Sequence, residues 1–457
     1  MTPQLFQYRS ELPSAVDEVF AWHERPVALE RLTPPWEKVS VVQRSGTIHD
    51  GDRVTLSMEI CRVPITWIAE HRDYQPGRQF RDVQIRGPFA RWEHLHRFEP
   101  VADDRTIAED RIEYVLPGGR WGQRLGAGSI DRKLRRAFRY RHDILAADLA
   151  AHAPFRDLPR LTVALSGSSG LIGSALAAYL NSGGHQVKRL IRGAPGRQPD
   201  EMAWNPATGE VDWTGIDAVV HLAGESVAAR WTPAKKARIR DSRVNATERL
   251  ARSLARAARP PGVLVCASAI GFYGNRGDEE LDEDSSAGTG FLAEVAQEWE
   301  RAAEPAVEAG IRVVHVRFGV VLSPRGGALG QIVAPFSLGM GGPISSGRQY
   351  WSWVSIDDAV GAIEYCLMNP SLAGPVNLVA PRPVTNREFT AALARVLRRP
   401  ALMPLPARAI RLALGEMADE MLLASARVLP RRLECSGYPF RHPDLETALR
   451  HVLGRHE

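Results

Sequence analysis

The sequence predicts an α/β fold, a doubly wound parallel sheet with a small C-terminal lobe, preceded by an α+β domain in which a long helix closes one antiparallel sheet. Three observations carry that prediction. Five successive segments between Asp52 and Leu116 alternate apolar and polar side chains, the period-2 pattern of half-buried strands. A stripe at three-to-four spacing follows, at Ile130, Leu134, Ala137, Phe138, Leu145 and Leu149, which is the buried face of an amphipathic helix. Then Leu161 to Gly173, LTVALSGSSGLIG, runs from an apolar strand through Gly167-x-x-Gly170-x-x-Gly173 straight into the helical pattern SALAAYLNSG.

A chain of 457 residues, 44% hydrophobic and 24% charged, has apolar material for two cores. The expected division is a first domain at 1–150, a linker at 151–160 carrying two prolines and no periodicity, and a second domain at 161–457 whose lobe begins near residue 382. The polar start MTPQLFQYRSELP and the lack of an 18-residue apolar run argue against a signal peptide or a membrane span, so a cytoplasmic location is expected. Cys61, Cys266, Cys366 and Cys435 are far apart and form no C-x-x-C pair, so buried reduced thiols are expected, and no metal site is indicated. A net charge of +5 is mild, and the densest basic run (Arg132, Lys133, Arg135, Arg136, Arg139, Arg141) lies on the long helix opposite its apolar face. It reads as a solvated face, with no nucleic-acid partner.

In the first part, the strands DRVTLSMEI, TWIAEHRDY, FRDVQIRG, RWEHLHRFEP and RTIAEDRIEYVL are separated by turn-like breaks such as QPG and DDR. With the early helix at SAVDEVFAWHERPVALERL, the Pro34-Pro35-Trp36 feature and the long closing helix, residues 1–150 resemble the helix-grip fold of the START and polyketide-cyclase-like (SRPBCC) superfamily. The resemblance implies a cavity for an apolar ligand between sheet and helix. Trp92, His94, His96 and Phe98 share one strand face and are candidates to line it. His94 and His96 could share a metal, but no acidic or cysteine partner is evident nearby in sequence, and packing or cavity lining is the better reading.

In the second part, the strand and helix around the glycines present an open helix N-terminus to a dinucleotide pyrophosphate. Gly167, Ser168, Ser169, Gly170, Leu171, Ile172 and Gly173 form that cofactor loop. The next strand, HQVKRLIR, ends in Arg192, where an NAD site would place an acidic residue on the ribose 2′-hydroxyl. A guanidinium suits a 2′-phosphate, so NADP(H) is favoured over NAD(H). Lys188 or Arg189 could share that role, and a plain surface arginine is the alternative. Further on, His221-Leu222-Ala223-Gly224 stands at a strand end, where Leu222, Ala223 and Gly224 let the nucleotide approach the backbone.

GSSGLIG, HLAG, SRVNAT, SAIGFYG, RFGVVLS and WVSIDDA follow one another in the order of the extended short-chain dehydrogenase/reductases. GESVAARWT, FLAEVAQEWE, RFGVVLSPRGGAL and PVNLVAP resemble their atypical subgroup, the sugar-nucleotide epimerase-like NAD-dependent epimerase/dehydratase proteins. The resemblance spans about Leu161 to His451 and implies a Rossmann fold, a substrate-side C-terminal lobe and a small-molecule substrate. In that superfamily a serine orients the substrate, and a tyrosine four residues before a lysine exchanges the proton. Ser268 matches the serine, but Phe291 and Val295 stand nearest the tyrosine and lysine positions. There is no tyrosine between Tyr273 and Tyr350, and no lysine after Lys236. Tyr273 is therefore the candidate proton handler beside Ser268, with Glu294 as another and with Arg276 or Arg317 as a source of fixed charge. Trp351 and Trp353 could stack on a ligand or pack in the core, and Asp357 and Asp358 read as a helix N-cap.

The expected function is an NADP(H)-dependent oxidoreductase or epimerase acting on a small molecule. Two other readings stay open: an NADP(H)-binding sensor or scaffold without turnover, and a helix-grip domain that delivers an apolar ligand to the second domain.

Overall fold

The computed structural model describes residues 3–60, 63–193 and 199–456; Cys61 lies outside them. The chain divides into two compact units, Met1–Leu158 with Ala178–Gly184, and Pro159–Ala177 with His185–Glu457.

In the first unit the order is β1 (Gln4–Leu12), α1 (Val16–Glu24), α2 (Ala28–Leu32), β2 (Val39–Ser45), β3 (Arg53–Ile60), β4 (Val63–Gln75), β5 (Gln79–Arg86), β6 (Arg91–Ala102), β7 (Arg105–Val115) and α3 (Gly119–His152). The strands form one antiparallel sheet, ordered β1-β7-β6-β5-β4-β3-β2. The five expected strands are present, and the sequence reading had not included β1 or β2. The early helix is split, because Pro26 disfavours helical backbone at the preceding residue and Arg25 is extended there. Phe6, Leu12, Ala108 and Ile112 on the sheet and Phe138, Ile144, Leu145 and Leu149 on α3 are buried. This is the helix-grip arrangement.

The second unit begins with β8 (Thr162–Ser166), α4 (Leu171–Ser182, whose residues from Ala178 on are counted with the first unit), β9 (Gln186–Arg192), β10 (Glu201–Trp204), β11 (Ala218–His221), α5 (Pro233–Asp241), α6 (Val244–Ala255) and β12 (Val263–Ala269). After a 3-10 turn at Ile270–Tyr273 come β13 (Glu280–Leu281), α7 (Phe291–Arg301), α8 (Glu304–Glu308), β14 (Arg312–Phe318), β15 (Val320–Leu322), α9 (Gly327–Ser337), β16 (Tyr350–Trp351), β17 (Trp353–Ser355), α10 (Ile356–Met368) and β18 (Gly374–Leu378). Seven strands make a parallel sheet ordered β10-β9-β8-β11-β12-β14-β18. Its strands read as continuous apolar runs because both faces are covered; all four residues of β11 are buried. The chain runs outward from β8 through β9 to β10 and then returns to β11 on the other side of β8. The crevice beyond the ends of β8 and β11 is therefore the topological switch point where such sheets bind ligands.

Beyond β18, α11 (Asn386–Leu397) opens with a capping box between Thr385 and Glu388. It shares an apolar cluster, through Phe389, Leu393 and Val396, with Leu445, Leu449 and Val452 of the helix at Leu445–Leu453.

Candidate functional site

The loop between β8 and α4 is built on backbone packing. Gly167 takes φ +70, and a Cβ there would stand 2.8 Å from the Leu222 carbonyl and 2.9 Å from the Ala223 nitrogen. A Cβ on Gly173 would stand 2.2 Å from the Gly167 carbonyl oxygen. Side chains are thus excluded at both ends of the turn. Around Gly170, by contrast, a Cβ would meet nothing nearer than the Gly167 oxygen at 3.2 Å, and Ser169 and Gly170 are exposed. The Gly170 N–H bonds the Gly167 carbonyl, and the first turn of α4 leaves its N–H groups open in the manner that receives a phosphate. The cradle fits a dinucleotide pyrophosphate. Leu171 and Ile172 turn the other way and pack against the apolar cluster around Leu329 and Trp353, while Ser168 is half-buried.

The neighbouring strand end is latched to this loop. Ser166 Oγ accepts from the N–H groups of Leu222 and Ala223 at 3.2 and 3.3 Å and meets His221 Nδ1 at 2.7 Å. With its oxygen already accepting two N–H groups, the hydroxyl hydrogen goes to Nδ1, so the His221 proton sits on Nε2. Burial pushes His221 down to about 4, and the ring meets Trp204 edge-on at 5.5 Å. It serves as a neutral structural group. Gly224 lies under the Arg243 guanidinium, where a Cβ would come within 3.3 Å of Cζ, and Arg243 donates to the Glu225 and Ile239 carbonyls.

At the end of β9, Arg192 is exposed. Among the described residues its guanidinium has no hydrogen bond or ion pair, while its backbone pairs with Trp204 of the next strand. Its two neighbours are committed: Arg189 holds Asp200 at 2.6 Å and Glu201 at 3.1 Å, and Lys188 donates to the Pro199 carbonyl at 3.1 Å.

Ser268 and Tyr273 come together in one buried network, in which neither offers a free hydroxyl. Ser268, 2% exposed, donates to Glu300 Oε1 at 2.7 Å. Glu300 grips Arg317 with both oxygens at 2.8 Å. Arg317 Nη1 donates to the Tyr273 hydroxyl at 2.8 Å, and that hydroxyl donates to Asn377 Oδ1 at 2.7 Å. Tyr273 is fully buried, and burial pushes its phenol up to about 12 in spite of Arg317. The expectation of Tyr273 as proton handler therefore meets a physical obstacle: the hydroxyl is enclosed, satisfied and strongly protonated.

Sequence reasoning missed Glu300 and Asn377 and left Arg317 unattached. The register holds the signal, because Ser268, Arg317 and Asn377 are successive partners across β12, β14 and β18. Arg276 pairs instead with Glu279, and Glu294 is exposed. Trp351 and Trp353 are core residues, 8% and 0% exposed. The N-cap of α10 is Ser355 rather than either aspartate; it accepts the Asp358 N–H. Asp358 in turn holds the backbone N–H groups of Arg441 and His442.

In the first unit, Trp92, His94 and Phe98 are buried, and among the described residues a cavity of about 20 Å³ lies between sheet and α3, room for a water-sized occupant. His23, His96, Asp110, Arg141 and His142 line it beside Phe98 and Phe138. Arg141 thus turns inward, unlike the solvated face expected of the basic run. The acidic partners not evident in sequence are also present: Asp82 and Asp110 stand beside His94 and His96. Among the described residues no helix is long and apolar enough to cross a membrane.

Comparison with known proteins bears on both units. Residues 163–378 match the NAD dependent epimerase/dehydratase family, residues 12–141 match polyketide cyclase / dehydrase and lipid transport, and residues 405–452 match a domain of unknown function, DUF1731. The epimerase family protein Mb2239 of Mycobacterium bovis is 48% identical over 297 residues, 64% of this chain and 98% of that protein. The crystal structure of a nucleoside-diphosphate sugar epimerase from Corynebacterium glutamicum is similar over 98% of this chain and 90% of that one, with 33% identity and a TM-score of 0.81. The structure of human epimerase family protein SDR39U1 with NADPH covers 64% of this chain and 99% of its own, with 34% identity and a TM-score of 0.60.

Proposed function

The chain belongs to the NAD-dependent epimerase/dehydratase family, and from that premise we propose that it is an NADP(H)-dependent oxidoreductase or epimerase acting on a small molecule. The observation that carries the NADP(H) reading is the contrast at β9, where Lys188 and Arg189 are engaged and exposed Arg192 is left to meet a 2′-phosphate. The human relative solved with NADPH supports the same choice. Bound NADP(H) would supply or accept the hydride. The glycine cradle would hold its pyrophosphate, and Leu222, Ala223 and Gly224 would flank the nucleotide.

Ser268 and Tyr273 take positioning roles in this reading. They tie the end of β12 and the turn after it to α7, β14 and β18, so a proton would come from solvent or substrate rather than from the Tyr273 phenol. Screening carbonyl compounds for NADPH consumption tests the proposal. Turnover that is lost in Gly173→Ala and survives in Tyr273→Phe is the expected result; turnover abolished by Tyr273→Phe at unchanged NADPH affinity would restore Tyr273 as a catalytic residue.

A second reading, nucleotide binding without turnover, is favoured by the lack of any lysine after Lys236 together with the burial of Tyr273. Tight NADPH binding with no consumption across the screen would select it. An apolar ligand entering the cavity between sheet and α3 would have to part Phe98, Phe138 and Leu145, which border its water-sized space. A fluorescent fatty acid titrated into the full chain measures whether they part.

A further inference from the structure

We propose that the helix-grip domain binds a divalent first-row transition-metal ion through Asp82, His94 and His96. Asp82 and His94 are directly opposed across β5 and β6, and His96 follows two residues on, so strand alternation places both imidazoles on one face with the carboxylate. Asp82 Oδ2 lies 3.7 Å from His94 Nδ1 and 3.2 Å from His96 Nε2. Those separations bracket the ligand-to-ligand edge of about 3.3 Å that a tetrahedral ion with bonds of about 2.0–2.1 Å requires.

The surrounding groups are arranged as a second shell. Asp110 Oδ1 lies 2.7 Å from both His94 Nε2 and His96 Nδ1, so one carboxylate oxygen takes the far nitrogen of each ring. Asp110 Oδ2 meets His142 Nε2 at 2.6 Å, and His142 Nδ1 meets Ser10 Oγ at 2.6 Å. The other oxygen of Asp82 lies 2.6 Å from His71 Nδ1. A carboxylate on the nitrogen away from the ion fixes the tautomer and orients the ring, as in metal-bound histidines generally. The far nitrogen of each ring is taken by Asp110, and the near nitrogens, His94 Nδ1 and His96 Nε2, both face Asp82 Oδ2. Without an ion, a proton shared between His96 Nε2 and Asp82 Oδ2, 3.2 Å apart, bridges these groups; a metal ion would take the place of that proton, as binding to histidine and carboxylate ligands releases protons.

Charge is compatible with this. Asp82 and Asp110 bring two carboxylates to the histidines, and Arg141 is the one arginine or lysine among the described residues that line the cavity, beside the carboxylates of Glu109 and Asp110. Three protein ligands leave a fourth position, the pattern of a site that keeps a water or takes a further ligand. His96 borders the water-sized cavity on the α3 side.

A second group, Asp357, His442 and His451, lies in the other unit. Its two imidazoles are 4.4 Å apart at 30°, against 3.8 Å and 44° for His94 and His96, and it serves as the internal control.

The test uses the full chain stripped with a chelator and titrated with Co²⁺, followed by visible absorbance, with Zn²⁺ added as competitor. One Co²⁺ per chain, displaced by Zn²⁺, is expected. Asp82→Asn and His96→Gln should each weaken binding at least about tenfold, and His442→Gln should leave it unchanged. Proton NMR of the wild-type Co²⁺ form should show two shifted, slowly exchanging imidazole N–H signals, from His94 and His96 held on Asp110; this readout stands even if a variant fails to fold. Absence of stoichiometric uptake by the folded wild type, uptake indifferent to Asp82→Asn and His96→Gln, or fewer than two such signals would overturn the proposal.

Discussion

The glycine loop and the Ser268 network are built on opposite principles within the same parallel sheet. The loop is local: Gly167, Gly170 and Gly173 lie within seven residues and work by lacking side chains. The network is dispersed: Ser268, Tyr273, Glu300, Arg317 and Asn377 come from separate elements and work by mutual satisfaction of buried polar groups. A site made of backbone tolerates change around it but not within it. A site made of a buried charge network transmits the loss of any member to the rest.

The largest expected effect falls on the network. Glu300→Ala leaves the Arg317 guanidinium, whose side chain is 4% exposed, without its carboxylate, and should destabilise the second unit by about 3–5 kcal/mol, read from urea unfolding. A loss under 1 kcal/mol would mean that the network carries little of the fold.

Next comes a pH effect at the latch beside the loop. His221 is held to about 4 against an ordinary value of 6.5, so between those values the unfolded chain binds a proton that the folded chain refuses. Stability from this group is therefore complete above about pH 6.5 and is lost as the pH falls toward 4, by about 2–3 kcal/mol. Amide exchange in β11 at pH 7 and 4.5, with wild type compared with His221→Gln, should show that extra acid sensitivity only in the wild type.

Gly173→Ala acts on the loop itself. Its methyl must displace the Gly167 carbonyl, and NADPH affinity should fall about 10–100-fold, or about 1.4–2.7 kcal/mol, while far-UV circular dichroism is unchanged. Tyr273→Phe is the mildest. It removes one hydroxyl from between Arg317 and Asn377, and should lower stability by about 1–2 kcal/mol with NADPH affinity within twofold of wild type.

What was legible in the sequence follows the same division. The strand and the glycine turn could be read because their conformation depends on neighbours in the chain, and the place of Arg192 at the end of β9 was legible on the same ground. The Ser268 network could not, since Arg317 became its partner only through the register of β12 on β14. The first unit repeats the lesson: His94 and His96 stood out by spacing, but Asp82 and Asp110 are brought beside them by cross-strand pairing, with His96 directly opposite Asp110. β2 escaped because much of it is exposed and its pairing with β3 shifts register between Val41 and Gln43, which weakens the alternation that identifies a strand.

The central claim, that the cradle takes NADP(H) with Arg192 on the 2′-phosphate, is tested most directly by calorimetric titration of wild type and Arg192→Asp with NADPH and NADH. Wild type should bind NADPH at least about tenfold more tightly than NADH, a difference of about 1.4 kcal/mol, and Arg192→Asp should erase that preference by weakening NADPH alone. Equal affinities in the wild type, or equal losses for both nucleotides in the variant, would contradict it.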